Sequence, residues 1–167
     1  MSLPPFAPAL TSHGGVTLVG GGPVARGDLT AALARAPVLA AADSGADRAL
    51  ALGLRPEVVI GDLDSLSEPG RAALGDRVLH VAEQDSTDFE KCLARIAAPL
   101  VLAVGFTGGR LDHALAVLNA LVRFPGRRCV LLGDGDAIVL CPPQIALDLV
   151  PGTRVSLFPL APVTRSE

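Results

Sequence analysis

Four carboxylates in two short runs are the groups in this chain whose types and spacing suit chemistry. Asp62 and Asp64 lie in Gly61-Asp62-Leu63-Asp64-Ser65, and Asp85 and Asp88 lie in Gln84-Asp85-Ser86-Thr87-Asp88. Asp62 and Asp64 are two apart, so on an extended strand end their side chains share a face and can reach one hard cation. Mg2+ is usually held by one or two carboxylates together with substrate phosphates, which makes such a pair half of a site. The plainer reading is that Gly-Asp and Asp-Ser are turn and cap residues. Asp85 and Asp88 are three apart in the first turn of an expected helix, where the helix dipole and free N–H groups favour acids. Capping needs only one residue, and Asp85 or Ser86 is the expected cap, which leaves Asp88 over. Both runs fall at the carboxyl ends of strands, where open α/β sheets bind ligands. Their joint presence favours a metal site over two unrelated caps.

Other candidates stand at similar junctions. Asp43 ends a third strand and Asp47 follows one helical turn later; each alone reads as a cap or surface acid. Gly108-Gly109-Arg110 sits between a strand and a helix. There the glycines permit close backbone approach to a phosphate, the helix N-terminus favours an anion, and Arg110 adds a charge-assisted donor. An ordinary tight loop explains the glycines equally well. Asp112 and Asn119 share one face of the next helix, with Leu111, Leu115 and Leu118 on another. His113, His13 and His80 have no partner in the pattern. Gly20 to Ala25 loosely fits a G-x-G-x-x-A dinucleotide loop with Asp43 about 20 residues on.

The elements that must position these groups follow from periodicity. Short apolar strands are expected over residues 16–20, 37–42, 57–60, 77–81 and 99–105, and helices over 25–36, 44–52, 67–75, 85–97 and 110–124. Ser44 caps the second helix and Gly53 stops it. Strands that are apolar throughout, alternating with helices, mean an α/β fold: a Rossmann-like, mostly parallel sheet with helices on both faces. The pattern changes near Arg127. Residues 129–133 and 137–140 flank Asp134-Gly135-Asp136, a hairpin signal. Two more strands are expected over 145–150 and 154–159, so the tail turns from α/β to all-β.

Composition narrows the classes. The 167 residues suffice for one well-filled core, and half of them are hydrophobic. A net charge of -3 argues against nucleic-acid binding. There is one lysine, Lys91, so cationic ligand contacts are expected from arginines, which suit planar bidentate phosphate recognition. Cys92, Cys129 and Cys141 are odd in number and set among apolar residues, and read as core thiols in a reducing cytoplasm. No apolar run is long enough to span a bilayer, and the first fifteen residues lack the plan of a signal peptide.

Taken together, four runs in this order resemble the thiamine pyrophosphokinase family: Asp43-Ser-Gly-Ala-Asp-Arg48, Gly61-Asp-Leu-Asp-Ser65, Gln84-Asp-Ser-Thr-Asp-Phe-Glu-Lys-Cys-Leu93, and Gly108-Gly-Arg-Leu-Asp-His113 with Asn119. The resemblance covers roughly residues 16–159. It implies transfer of pyrophosphate from ATP to the hydroxyl of thiamine, with Mg2+, giving thiamine diphosphate and AMP. It further implies Asp62, Asp64 and Asp88 as metal-binding and catalytic acids, with Asp64 or Asp88 helping to orient or deprotonate the hydroxyl. Asp43, Ser65, Thr87, Gly108, Gly109, Arg110 and Asp112 are implied as ATP contacts. Asp47, where the family more often has Asn, and Gln84 are implied as thiamine contacts. The family pairs an ATP-binding α/β domain with an all-β domain and forms a homodimer whose thiamine pocket is completed across subunits. Residues 14–142 match the first domain, and 143–167 only the start of a truncated second one. Two other readings stay open on the residues: a nucleotide-binding sensor without catalysis, and an NAD-binding protein built on the Gly20 to Ala25 loop. The NAD reading leaves the clustered acids unexplained.

Overall fold

The computed structural model of the chain describes residues 7–160. Along it run β1 (Leu10–Thr11), β2 (Val16–Val19), α1 (Arg26–Arg35), β3 (Val38–Ala42), α2 (Gly45–Ala51), β4 (Val58–Gly61), α3 (Glu68–Leu74), β5 (Val78–His80), α4 (Asp88–Arg95), β6 (Ile96–Ala97), β7 (Val101–Val104), α5 (Leu111–Arg123), β8 (Cys129–Gly133) and β9 (Asp136–Val139). Seven strands form one sheet in the order β5-β4-β3-β2-β7-β8-β9. All neighbours in it are parallel except β8 and β9, which close an antiparallel hairpin. The mostly parallel α/β architecture expected from the apolar strands is therefore present, and so is the hairpin. Its turn residues Asp134 and Gly135 both have positive φ, 55° and 79°, which matches the right-handed twist of the flanking strands. A second, two-stranded parallel pairing of β1 with β6 was not foreseen.

Alternation along the strands sorts the core into two faces. Val16, Leu18, Ala40, Ala42, Val58 and Ile60 pack with Phe89 and Leu93 of α4 and Val117 and Leu121 of α5. Val19, Leu39 and Val104 pack with Leu29 and Ala32 of α1, while Ala41 and Val59 pack with Ala46 of α2 and Leu74 of α3. Helices thus cover both faces, which is why the strands carry no polar stripe. From β2 the chain winds outward to β5 and then returns to place β7 on the other side of β2. The crevice between the β2 and β7 ends is the topological switch point, where sheets of this kind take ligands.

Three sequence expectations need correction. The cap of α4 is Thr87 and not Asp85 or Ser86: its hydroxyl accepts from the Glu90 N–H while the Glu90 carboxylate accepts from the Thr87 N–H. A reciprocal capping box of this kind satisfies two orphan donors at once, which a single acid does not. The strands expected over 145–150 and 154–159 do not form. A strand is defined by a hydrogen-bonded neighbour, and no described residue pairs with them; Ile145, Leu147, Leu149, Val155, Leu157 and Phe158 are all exposed. Residues 161–167 of the expected second domain lie outside the described residues. Finally, Cys92 and Cys129 are buried thiols, Cys129 pushed up to about 12 by burial, but Cys141 is exposed. No described helix is long and apolar enough to cross a membrane.

Candidate active site

Asp43 ends β3 in a left-handed conformation, φ 43°. That geometry is uncommon outside glycine but tolerated by Asp. It turns the carboxylate inward beneath the loops, where the residue is 5% exposed and its Oδ1 has no hydrogen-bond partner. Burial, and then the nearby charges of Asp88 and Asp64, push its pKa above the ordinary carboxylate value. Asp62 and Asp64 arrive by a different route from the extended strand end expected. β4 stops at Gly61, and Leu63 takes φ 66°. A bulky residue rarely holds that region unless its surroundings impose it; here its side chain is anchored in the core with Leu66 and Leu74. The turn swings the two aspartates toward Asp43, and carboxylate oxygens of Asp43, Asp62 and Asp64 lie within 4.8 Å of one another.

Asp88, the first residue of α4, stands beside them but is engaged. Its Oδ1 accepts from the Asp62 N–H at 3.3 Å and from Lys91 Nζ at 3.2 Å. The other lysine bond goes to Asp62 Oδ2 at 3.3 Å, where the Gln84 amide also donates at 3.1 Å. Burial opposes ionisation of Asp62, but the Asp64 N–H, the Gln84 amide and Lys91 together outweigh it and hold its pKa below the ordinary value. Burial likewise opposes the charge on Lys91, and Asp88 and Asp62 reverse that, raising it.

These acids form one wall of a cavity of about 520 Å3 at the switch point. Gly21 and Gly22 after β2, Gly105 and Phe106 after β7, and Gly108, Gly109, Arg110 and His113 make up much of the rest. The Gly20 to Gly22 loop is glycine-rich for packing. A Cβ on Gly20 or Gly22 would lie 2.6 Å from the Gly105 carbonyl oxygen. Arg48 Nε donates to the Gly21 carbonyl at 2.6 Å, which brings its guanidinium to the cavity rim. The expected Arg110 is also there, though its guanidinium is forked onto Asp112 at 3.1 and 2.5 Å, both side chains well exposed.

The remaining expected residues divide. Ser65 lines the cavity, its hydroxyl donating to Asp64 Oδ1 at 2.9 Å. Gln84 reaches the acids through Asp62. Thr87 is spent on the α4 cap, and Asp112 meets the cavity only through Arg110. Asp47 points elsewhere: its two oxygens accept from the Ser67 N–H at 2.9 Å and the Ser67 hydroxyl at 2.6 Å, and Ser67 in turn caps α3. Asp47→Ala is accordingly expected to cost about 1 kcal/mol of stability in urea unfolding. A fall in ligand affinity without a fall in stability would contradict that role. Leu111 and Leu115, expected on an apolar face, are 74% and 54% exposed. The buried face of α5 is Val117, Ala120 and Leu121, because its first turns flank the cavity and not the sheet. Three residues were missed. Arg48 stood in a quoted run without a role. His113 has no partner in the sequence pattern, yet it lines the cavity. Lys91 was discounted because cationic contacts were assigned to arginine.

The acid set fits a hard divalent cation. All its donors are carboxylate oxygens, one is buried with no other partner, and opposed ligands of Mg2+ lie about 4.2 Å apart, close to the spread observed.

Comparison with known proteins gives a single answer. The profile of the catalytic domain of thiamin pyrophosphokinase matches residues 29–132. Thiamine pyrophosphokinase 1 of Arabidopsis thaliana is 37% identical over 101 residues, covering 53% of this chain and 38% of that protein. Thiamine pyrophosphokinase 3 of Oryza sativa subsp. japonica is 36% identical over 101 residues with the same coverage. The crystal structure of thiamin pyrophosphokinase from Geobacillus thermodenitrificans superposes with a TM-score of 0.59 at 30% identity, over 71% of this chain and 59% of that one. The matched stretch covers 38% of each of these two plant relatives, less than half of their length. Asp43, Asp62, Asp64 and Asp88 all fall inside the matched region, and the chain belongs to the thiamin pyrophosphokinase catalytic-domain family.

Proposed function

We propose that the cavity binds ATP with Mg2+ and transfers its terminal pyrophosphoryl group to the hydroxyl of thiamine, yielding thiamine diphosphate and AMP. The observation that carries this reading is the buried, unpartnered Asp43 Oδ1 close to Asp62 and Asp64, in a cavity that Arg48 and Arg110 also line. A polyanion brought in with its metal satisfies the acids and the arginines at once. Asp43, Asp62 and Asp64 would hold the metal, with Asp88 beside them. When bound, Mg2+ polarises the phosphate oxygens and neutralises charge on the departing AMP. The chain's own groups position the reactants. Arg48 and Arg110 donate to phosphate oxygens, with Arg110 leaving Asp112 to do so. Gly108 and Gly109, with φ of 77° and 76°, present the loop backbone to the nucleotide. Gln84 orients the acceptor, whose cationic thiazolium suits an acidic wall. The thiamine oxygen bonds to the β-phosphorus, the bond from that phosphorus to the α-bridging oxygen breaks, and the hydroxyl proton passes to Asp64 or Asp88.

The same reading takes residues 14–142 as the ATP-binding domain, 143–167 as the opening of a thiamine-binding β domain, a homodimer as the working form, and the cytoplasm as its place. Exposed apolar side chains along 145–158 support the second and third of these, and three unpaired thiols the fourth. The test is AMP release from ATP by the purified chain. It is expected to require both thiamine and Mg2+. Stabilisation by ATP–Mg2+ without thiamine-dependent AMP would favour a nucleotide sensor instead.

A further inference from the structure

Lys91 is the only lysine in a chain whose other permanent cations are arginines. It is also the only buried basic residue among those described, 1% exposed. A lysine is rarely enclosed unless its charge is matched. Here two of its three donors go to Asp62 Oδ2 and Asp88 Oδ1. An ammonium carries three donors, enough to reach both carboxylates at once. Asp62 belongs to two groups at once: it is a partner of Lys91 and one of the three carboxylates of the cation cluster. Asp88 is fixed through one oxygen, which leaves the other to the cavity it lines. Without Lys91, four carboxylates would face one cavity with no enclosed positive charge among them.

We propose that Lys91 is the resident counter-cation of this cavity, a positioning residue that keeps Asp62 and Asp88 oriented before any metal arrives and that opposes the divalent cation bound beside it. The proposal rests on the reading that Asp43, Asp62 and Asp64 hold a divalent cation. It goes further by fixing a sign. Removing a mere packing residue would loosen the acids and weaken metal binding, whereas removing an enclosed positive charge deepens the negative potential and strengthens it.

The experiment is a Mn2+ titration of the nucleotide-free chain followed by electron paramagnetic resonance, with thermal unfolding in parallel. Wild type is expected to bind Mn2+; if it binds none, the metal reading fails and the Lys91 proposal falls with it. Lys91→Met, and Lys91→Gln as a second neutral variant, are expected to bind Mn2+ about tenfold more tightly. Both should melt lower than wild type in chelator and gain more than wild type from added Mn2+, while turnover with saturating metal falls because Asp62 and Asp88 lose their orientation. Lys91→Arg, which keeps the charge, should stay within about threefold of wild type in Mn2+ affinity. Equal or weaker Mn2+ binding in both neutral variants would overturn the proposal while leaving the metal reading intact. So would failure of both to fold at saturating Mn2+.

Discussion

Asp43→Asn is expected to fold more stably than the parent chain and to lose turnover by about a thousandfold. The two effects share one cause. In the metal-free protein Asp43 is enclosed, its Oδ1 has no partner, and Asp88 and Asp64 add like charge, so its ionised form is disfavoured. An amide of the same shape removes that charge and relieves about 1–2 kcal/mol at neutral pH. The sign with pH follows from the raised pKa. A group whose folded pKa lies above its unfolded value contributes stability below the ordinary carboxylate range, and that contribution disappears as pH rises through the folded value. The parent should therefore match Asp43→Asn in acid and fall behind it as pH rises toward neutrality, measured by urea unfolding in chelator. Added Mg2+ should reverse the order, since a bound cation satisfies the carboxylate and has less to hold it in the amide. A variant no more stable than the parent at neutral pH would mean that Asp43 is not strained by its burial. A variant that keeps normal turnover would remove it from the metal site.

That pairing of strain and function bears on what the chain disclosed beforehand. The strands and helices were legible because burial on both faces of a parallel sheet leaves long apolar runs and clear punctuation. Asp62 and Asp64 were legible as a pair, yet for a reason the structure replaces: they converge through a left-handed Leu63 pinned by the core, not along an extended strand. No local pattern announces a leucine at φ 66°, because tertiary packing imposes it. Asp43 reads as an isolated acid, since its neighbours at the cavity come from residues 62 and 64, after the adjacent strand β4, and from residue 88 at the start of α4. The α4 cap was misassigned because Asp85, Ser86 and Thr87 all suit an N-cap. Only the reciprocal bond with Glu90 decides among them, and that spacing was present in the sequence. Lys91 carries one signal in the sequence, a single lysine where every other permanent cation is arginine. The strands expected over 145–150 and 154–159 failed for a reason alternation cannot report, the lack of a described neighbour to pair with.

The largest loss of stability is expected from the smallest addition, Gly45→Ala. Gly45 is the first residue of α2 and is fully packed. A Cβ there would lie 2.2 Å from the Val19 carbonyl oxygen and 2.7 Å from its carbon, at the end of β2. Those are backbone atoms of the central strand, hydrogen-bonded on both sides to β3 and β7, and cannot yield as a flexible side chain would. The helix must therefore lift, at a cost of about 3 kcal/mol. The displacement would carry Asp43, Ser44 and Arg48 with it, since all three flank the helix start and line the cavity. Activity should fall with stability, and excess Mg2+ should not restore it, because the acids no longer converge. Gly27→Ala provides the contrast: it lies within α1 with nothing inside 4 Å of its added Cβ. Losing the entropic cost of a helical glycine should stabilise the chain by about 0.5–1 kcal/mol there. Urea unfolding of both variants checks the pair. If Gly45→Ala cost no more than about 1 kcal/mol, the close approach of α2 to β2 would not be what demands glycine at this position.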